Sequence, residues 1–514
     1  MKTHNWFKFI TQSAPGWALV AGTLVAISGC NSNDTNTVKT PVKPPVETPQ
    51  RSQMSGEVLF KTPFPGAKNQ RTCATCHVPE DNFTLTPAHV AKVFKENPND
   101  PLFSAIDADD PKAIPLTFEH LKKGLIRVWL TIPANMDLID AEGNITTPAD
   151  RKIFVWRGVP SIADAALTAP YQLDGRAKNL VEQAQGAVEG HSEGTTTQAT
   201  ELERIADFER LTFSSSRAKK VADQLAKGVA PKDIPDVDEE LVLTPEETRG
   251  RELYKKVCAS CHGGPNKATI VDRAIHDASF YALKPDGNVL YSVPATIPAT
   301  PVLADQPDNE FINIGSAMEN FLAQIGATEH ESFTRDVSFP AYRFRFYKDE
   351  SKQVVVAELP PKTAPLDGDG GGFFEIGDGS GQCVVDTGEG GEGGGDFAPQ
   401  ESDSDGNPIM GPNGALQLFT TDPGRAIITG NPYDFEAFDI PTLRGISKSA
   451  PYWHNHISEK LEDVVELYSD HLLARYPSFI QPGEKEADCD GDTGPEEAFT
   501  KQQKADLVAY LKRL

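Results

Sequence analysis

The residues best suited to chemistry in this 514-residue chain sit in two pentapeptides, "CATCH" (73–77) and "CASCH" (258–262). In each, two thiols spaced by two residues can reach the two vinyl groups of a haem while the next histidine turns onto its iron. A zinc site and a redox dithiol are the rival readings, but a zinc ribbon draws its four cysteines from one small unit, and these pairs lie far apart. The motifs predict two covalently bound haem c groups, attached through Cys73, Cys76, Cys258 and Cys261, with His77 and His262 as proximal iron ligands.

Repeated elements must position these motifs. "GEVLFK" (56–61) precedes the first and "GRELYK" (250–255) the second, each reading as the start of a helix with one apolar face. A second repeat follows each motif: "VPSIADAALTAPYQLDGRAKNLVEQA" (159–184) aligns without a gap onto "IPTLRGISKSAPYWHNHISEKLEDVV" (440–465), pairing Pro160 with Pro441 and Tyr171 with Tyr452. In each copy Ala-Pro-Tyr marks a turn, and the Leu/Val pattern after it marks a helix. The chain therefore divides into a leader (1–29), a tether (30–50), a first haem domain (51–235) and a second (236–514). The second carries an insertion at about 330–415, rich in Gly and Asp, which cannot bury enough apolar surface to order itself unaided.

Composition sets limits on partners and compartment. A formal charge of -25 argues against nucleic acid and against an anionic membrane surface. Lys2 and Lys8 precede "WALVAGTLVAI", an apolar run too short to span a membrane, so the N-terminus reads as a signal peptide. It ends at "ISGC", which resembles a bacterial lipobox. That resemblance implies lipidation of Cys30 and an anchor at the outer membrane, facing the periplasm or cell surface. The membrane would be met only through this lipid and the extended Pro/Thr/Lys tether. Of the seven cysteines, Cys383 and Cys489 remain, an even remainder that in an oxidising compartment predicts a disulfide. Acidic loops such as "DCDGDTGPEE" invite a calcium reading, but none fits an EF-hand, and solvated loops are the expectation.

The two C-x-x-C-H units, each followed by P-[ST]-[IL]…APY…L-x-[ED], resemble the bacterial dihaem cytochrome c peroxidase and MauG family. The resemblance covers roughly residues 51–330 and 415–514. It implies a mainly α fold of two cytochrome-c-like domains whose haems face one interdomain region, with peroxide reacting at the first. "DGRAKNLVEQA" matches the family segment that supplies a carboxylate there, which implies an acid–base role for Glu182 in moving a proton between the peroxide oxygens. Asp174 and Arg176 would hold the turn or a haem propionate. Some members keep a removable distal histidine on the first haem; His89 and His120 are candidates by position.

At the second haem the family places an iron ligand fourteen residues after the histidine of "PYxH", methionine in peroxidases and tyrosine in MauG-type members. Counting from His454 reaches Tyr468, with His471 as the rival. A phenolate is a hard anionic donor that favours oxidised iron, where a thioether raises the potential. The family's "PYxHDG" reads "PYWHNH" here, so the turn holding His454 could be shaped differently. Trp453 and Trp156 are either electron relays or interior packing. The resemblance also suggests Ca2+ between the domains, with Asp439 or Pro441 near "TLR" as a partner.

The leading expectation is an oxidoreductase that reacts with hydrogen peroxide at the first haem and exchanges electrons through the second with a small redox protein or a protein substrate. The alternatives are an oxygenase resembling the dihaem rubber oxygenases and an electron carrier with both irons fully ligated.

Overall fold

The computed structural model describes residues 51–194, 197–268, 281–283, 289–291, 311–326, 331–360, 417–469 and 499–514. The leader, the tether, Cys30, His471, Cys383, Cys489 and the Gly/Asp-rich run lie outside them. The fold is mainly α, with small sheets of two or three strands.

Each C-x-x-C-H motif is cradled by a crossed pair of helices. In the first unit Gly56–Phe60 is started by Ser55, whose hydroxyl accepts from the Val58 amide at 3.3 Å, and it crosses Ala199–Arg210. In the second, Thr244 and Glu247 form a reciprocal capping box at the start of Pro245–Lys256, which crosses Lys501–Leu511. A glycine lies at each crossing. A Cβ on Gly56 would drive into the Arg204 carbonyl, and one on Gly250 into the Asp506 carbonyl, so only hydrogen lets the backbones approach this closely.

The second repeat is as closely kept. The Tyr171 and Tyr452 hydroxyls donate to the carbonyls of Ala165 and Ile446, both at 3.1 Å. Left-handed backbone recurs at matching places: Asp164 and Gly445 (φ 68° and 69°), Gln172 and Trp453 (69° and 73°), Gly175 and His456 (68° and 58°). The "WHNH" turn therefore keeps its partner's shape although Asn455 and His456 stand where the first copy has Asp174 and Gly175. From it runs the helix Leu461–Leu467, matching Leu180–Gly190.

Between the units lies a core to which both halves contribute. The hairpin Leu125–Thr131 with Lys152–Gly158 supplies Val128, Leu130, Ile153 and Val155, and residues from beyond the second motif supply Met318, Leu322, Phe344, Phe346 and Phe435. Met136–Leu138 pairs with Phe344–Tyr347, which pairs in turn with Val355–Leu359. The described start of the expected insertion is thus strand, joined to the first half of the chain.

Candidate functional site

The first attachment helix, Cys73–Cys76, is held at its start by Thr72 and Thr75, the Thr72 amide donating to Thr75 Oγ1 at 2.9 Å. Cys73 packs beside Phe60, Phe64, Ile162, Ala184 and Val188. His77 Nδ1 donates to the Phe83 carbonyl at 3.1 Å and is also hydrogen-bonded to the Pro160 backbone. In the second unit His262 Nδ1 donates to the carbonyls of Pro441 at 3.1 Å and Lys267 at 3.2 Å, and the Tyr254 hydroxyl holds the His262 carbonyl. The paired prolines of the repeat therefore do the same work. Each fixes the tautomer of one histidine and leaves its Nε2 for a metal.

Burial keeps the sulfurs as thiols, pushing Cys76 up to about 11 and Cys258 up to about 12, and it pushes His262 down to about 4. Two thiols, buried or half-buried, and one oriented, neutral imidazole per unit fit a covalently held haem c.

Tyr468 follows directly on Leu461–Leu467, and its ring lies 5.3 Å from that of Trp453. Burial, and then the neighbouring Cys261 and Cys258, push its hydroxyl above the usual phenol range, so it sits beside the second attachment site. Leu461 and Val465 are buried along the same face, as the periodicity predicts.

Glu182 is placed differently from the desolvated carboxyl that its expected role suggests. It is exposed in the first turn of Leu180–Gly190, accepting from the Lys178 amide and Asn179 Nδ2, both at 3.0 Å. His120 is committed elsewhere: Nδ1 lies 2.6 Å from Asp109, Nε2 lies 2.9 Å from the Ser338 carbonyl, and the ring stacks on Trp156 at 4.0 Å. His89 lies 4.0 Å from Asp81. Asp174 holds the turn, paired at 2.6 Å with both Arg157 and Arg176, which keep its carboxyl low despite full burial. Arg157 reaches on to Asp422 at 2.7 Å, and the Asp174 carbonyl accepts from Arg425 at 3.0 Å.

His454, 6% exposed, stacks on Phe438 at 3.9 Å and meets Ser316 Oγ through Nδ1 at 3.2 Å. Burial pushes it down to about 3. Its carbonyl accepts from the Gly158 amide at 2.7 Å, and His456 Nδ1 donates to the Lys123 carbonyl at 2.8 Å, so this turn docks onto the first half of the chain. Asp439 is half-buried, its Oδ1 shielded from solvent and unpartnered, and its carboxyl is pushed well up. The Pro441 carbonyl serves His262. Among the described residues no group of three or more His, Cys, Asp or Glu side chains is placed to hold a metal ion.

Two inward-facing residues, one half-buried and one buried, escaped the sequence reading. His191 ends the helix Leu180–Gly190 on the face of Leu180, Ala184 and Val188, with its carbonyl held by Asn69 Nδ2 at 2.8 Å. Burial pushes its imidazole down to about 4, with Asp107, Arg71, Arg176 and His77 as its electrostatic neighbours. Glu209, on Ala199–Arg210, is buried close to Cys73. Helical periodicity marks both as inward-facing, but glutamate and histidine are ordinarily solvated, and that prior hid them.

Residues 51–230 match the family model of di-haem cytochrome c peroxidase, and residues 245–302, which include the second motif, match that of the cbb3-type cytochrome c oxidase subunit III. No curated protein matches the chain. Among solved structures it is similar to a MauG-like protein associated with microbial copper homeostasis (17% identity, covering 91% of this chain and 90% of that one, TM-score 0.33). It is also similar to hydrazine synthase of Kuenenia stuttgartiensis (11%, 94% and 100%, 0.32) and to the diheme peroxidase BthA of Burkholderia thailandensis (15%, 89% and 84%, 0.31). At these scores the structural likenesses carry no weight beyond the family match. The first haem unit thus matches the di-haem cytochrome c peroxidase family, and with its paired C-x-x-C-H units in duplicated settings the chain is a peroxidase-like oxidoreductase carrying haem c.

Proposed function

We propose that hydrogen peroxide reacts at the first haem unit and that oxidising equivalents pass through the second to or from a small redox protein or a protein substrate. One observation carries the reading: the copies differ at one telling position. The repeat pairs Tyr468, beside the second attachment cysteines, with Ala187, whose methyl offers no ligand. Tyr468 would thus be available to hold the second group as an oxygen donor, while the repeat gives the first unit no matching donor for its own.

When bound, haem c supplies the iron that accepts the oxidising equivalents of peroxide and exchanges electrons. The chain's own residues set the terms. The Pro160 and Pro441 carbonyls orient His77 and His262 and strengthen them as donors. Tyr468 would hold the second group through its oxygen, giving up its proton to solvent on binding, and as an anionic donor would bias that site toward the oxidised state. Glu182 is assigned the proton transfer by its place in "DGRAKNLVEQA", and Glu182→Gln should lower peroxide turnover by about 10²–10⁴-fold. By the lipobox reading, Cys30 carries the lipid that holds the protein at the outer membrane, and Cys30→Ser should release it from the membrane fraction.

Electron paramagnetic resonance of the oxidised protein before and after stoichiometric peroxide tests this reading. The expected result is a high-spin ferric signal that disappears on peroxide addition, and a low-spin signal that changes in Tyr468→Phe. Two low-spin, peroxide-inert haems would overturn the reading. They would favour the electron carrier, for which the half-buried His191 is the supporting observation, as a nitrogen donor within electrostatic reach of His77.

A further inference from the structure

The two units are copies, so a core position filled differently in one of them marks a demand that packing does not make. The helix crossings fix the correspondence. Gly56 abuts Arg204 and Phe208 as Gly250 abuts Asp506 and Tyr510. The same alignment pairs Ile205 with Leu507, Ala206 with Val508 and Glu209 with Leu511. Leu511 is an apolar core residue of the second unit, 6% exposed. Glu209 is 3% exposed, and its Oε2 has no hydrogen-bond partner.

A leucine evidently suffices to pack this position, so an unpartnered carboxyl there is a cost without structural return, about 1–3 kcal/mol. The titratable and charged groups facing it are Cys73 from the attachment helix, Tyr171 from the repeat turn and Arg210 on its own helix. Burial pushes the Glu209 carboxyl up to about 8, against the pull of Arg210. Burial likewise pushes Tyr171 up to about 12. Cys73 as a thioether does not titrate. Around neutral pH Glu209 is therefore the one of these groups poised to change protonation.

We propose that Glu209 is the proton-accepting partner of the first haem, taking up one proton when that haem's iron gains one electron. The inference rests on haem attachment at Cys73, part of the reading above, but not on peroxide being the oxidant. The step balances: one electron passes from the redox donor to ferric iron, and one proton passes from solvent to the Glu209 carboxylate, forming an O–H bond. The net charge of the site is unchanged. Cys73 ties the haem edge close to Glu209, so the positive charge of the ferric site favours the carboxylate, and its loss on reduction favours the acid.

The test is spectroelectrochemical titration of the first haem in the dihaem protein, from weakly acidic to weakly alkaline pH. Wild type is compared with Glu209→Gln, with Glu209→Leu, which copies the second unit's own solution, and with Tyr171→Phe. Wild type should show a tenfold shift of the reduction equilibrium per pH unit, about 59 mV for one electron, over part of that range. Both Glu209 variants should lose it, and Tyr171→Phe should keep it. Redox-difference infrared spectra should show a protonated carboxyl gained on reduction in wild type and missing in Glu209→Gln. A pH-independent potential in wild type, or a dependence surviving in a haem-loaded Glu209→Gln protein, would overturn the proposal. Peroxide-inert haems with the proton coupling intact would sink the peroxide reading alone.

Discussion

Glu436 shows what burial does to a single carboxyl. It is 1% exposed with φ of 54°, and neither oxygen meets a partner. Thr420 and Asn313 are near enough to pull the carboxyl down, although the Thr420 hydroxyl donates to the Asp422 carbonyl and Asn313 Nδ2 to that of Phe435. Burial, with Asp422 adding to it, pushes the carboxyl from 4.5 up to about 8. Between those values the folded state binds more protons than the unfolded chain, so stability falls as pH rises through that range and levels off above it. Glu436→Gln should flatten much of this fall, as measured by urea unfolding at acid and mildly alkaline pH. A fall of the same size in the variant would refute the assignment. At this scale stereotyped types and spacing make the sequence most readable: Cys73, Cys76, His77, Cys258, Cys261, His262 and Tyr468 are candidates found by counting. Glu209, His191 and Glu436 were not, because nothing local distinguishes a buried carboxylate or imidazole from a solvated one.

Helix crossings come next in scale. Gly250→Ala and Gly56→Ala each force a methyl into a facing carbonyl, so each should cost about 3 kcal/mol, the upper range for overpacking. Thermal unfolding checks this, and Gly186→Ala, where an added Cβ meets nothing, is the neutral control. "GEVLFK" was legible as a helix start, whereas "GRELYK" is the second half of a helix that already begins at Pro245. Their glycines were not legible as contact points, since the residues they touch lie far along the chain. The Ala-Pro-Tyr turns and the helices after them formed as the pattern predicts. The concern over "WHNH" is answered by backbone geometry: His456 accepts a left-handed conformation that glycine supplies in the first copy. What the substitution adds is a ring that fills the space over Gly158. Glu182 differs in another way, because an N-terminal helix position lets its carboxylate turn back onto the Lys178 amide.

The whole molecule depends on the buried cluster joining its halves. Arg157→Met would leave Asp422 without its bidentate partner and Asp174 with Arg176 alone, at a cost of about 3–5 kcal/mol by denaturant unfolding. A loss below 1 kcal/mol would show that the cluster contributes little. Two helical units were readable from the repeats. The shared middle core was not, since its partners are separated by much of the chain and strand pairing at that distance leaves no periodic trace. That core also dictates an order of assembly. Met136–Leu138 leaves the ribosome long before Phe344–Tyr347 exists to pair with it, so the first unit must wait with an apolar edge uncovered until most of the chain has been made. A truncated chain ending between the two units should therefore carry its haem-attachment motif intact and still be captured by chaperones or proteases.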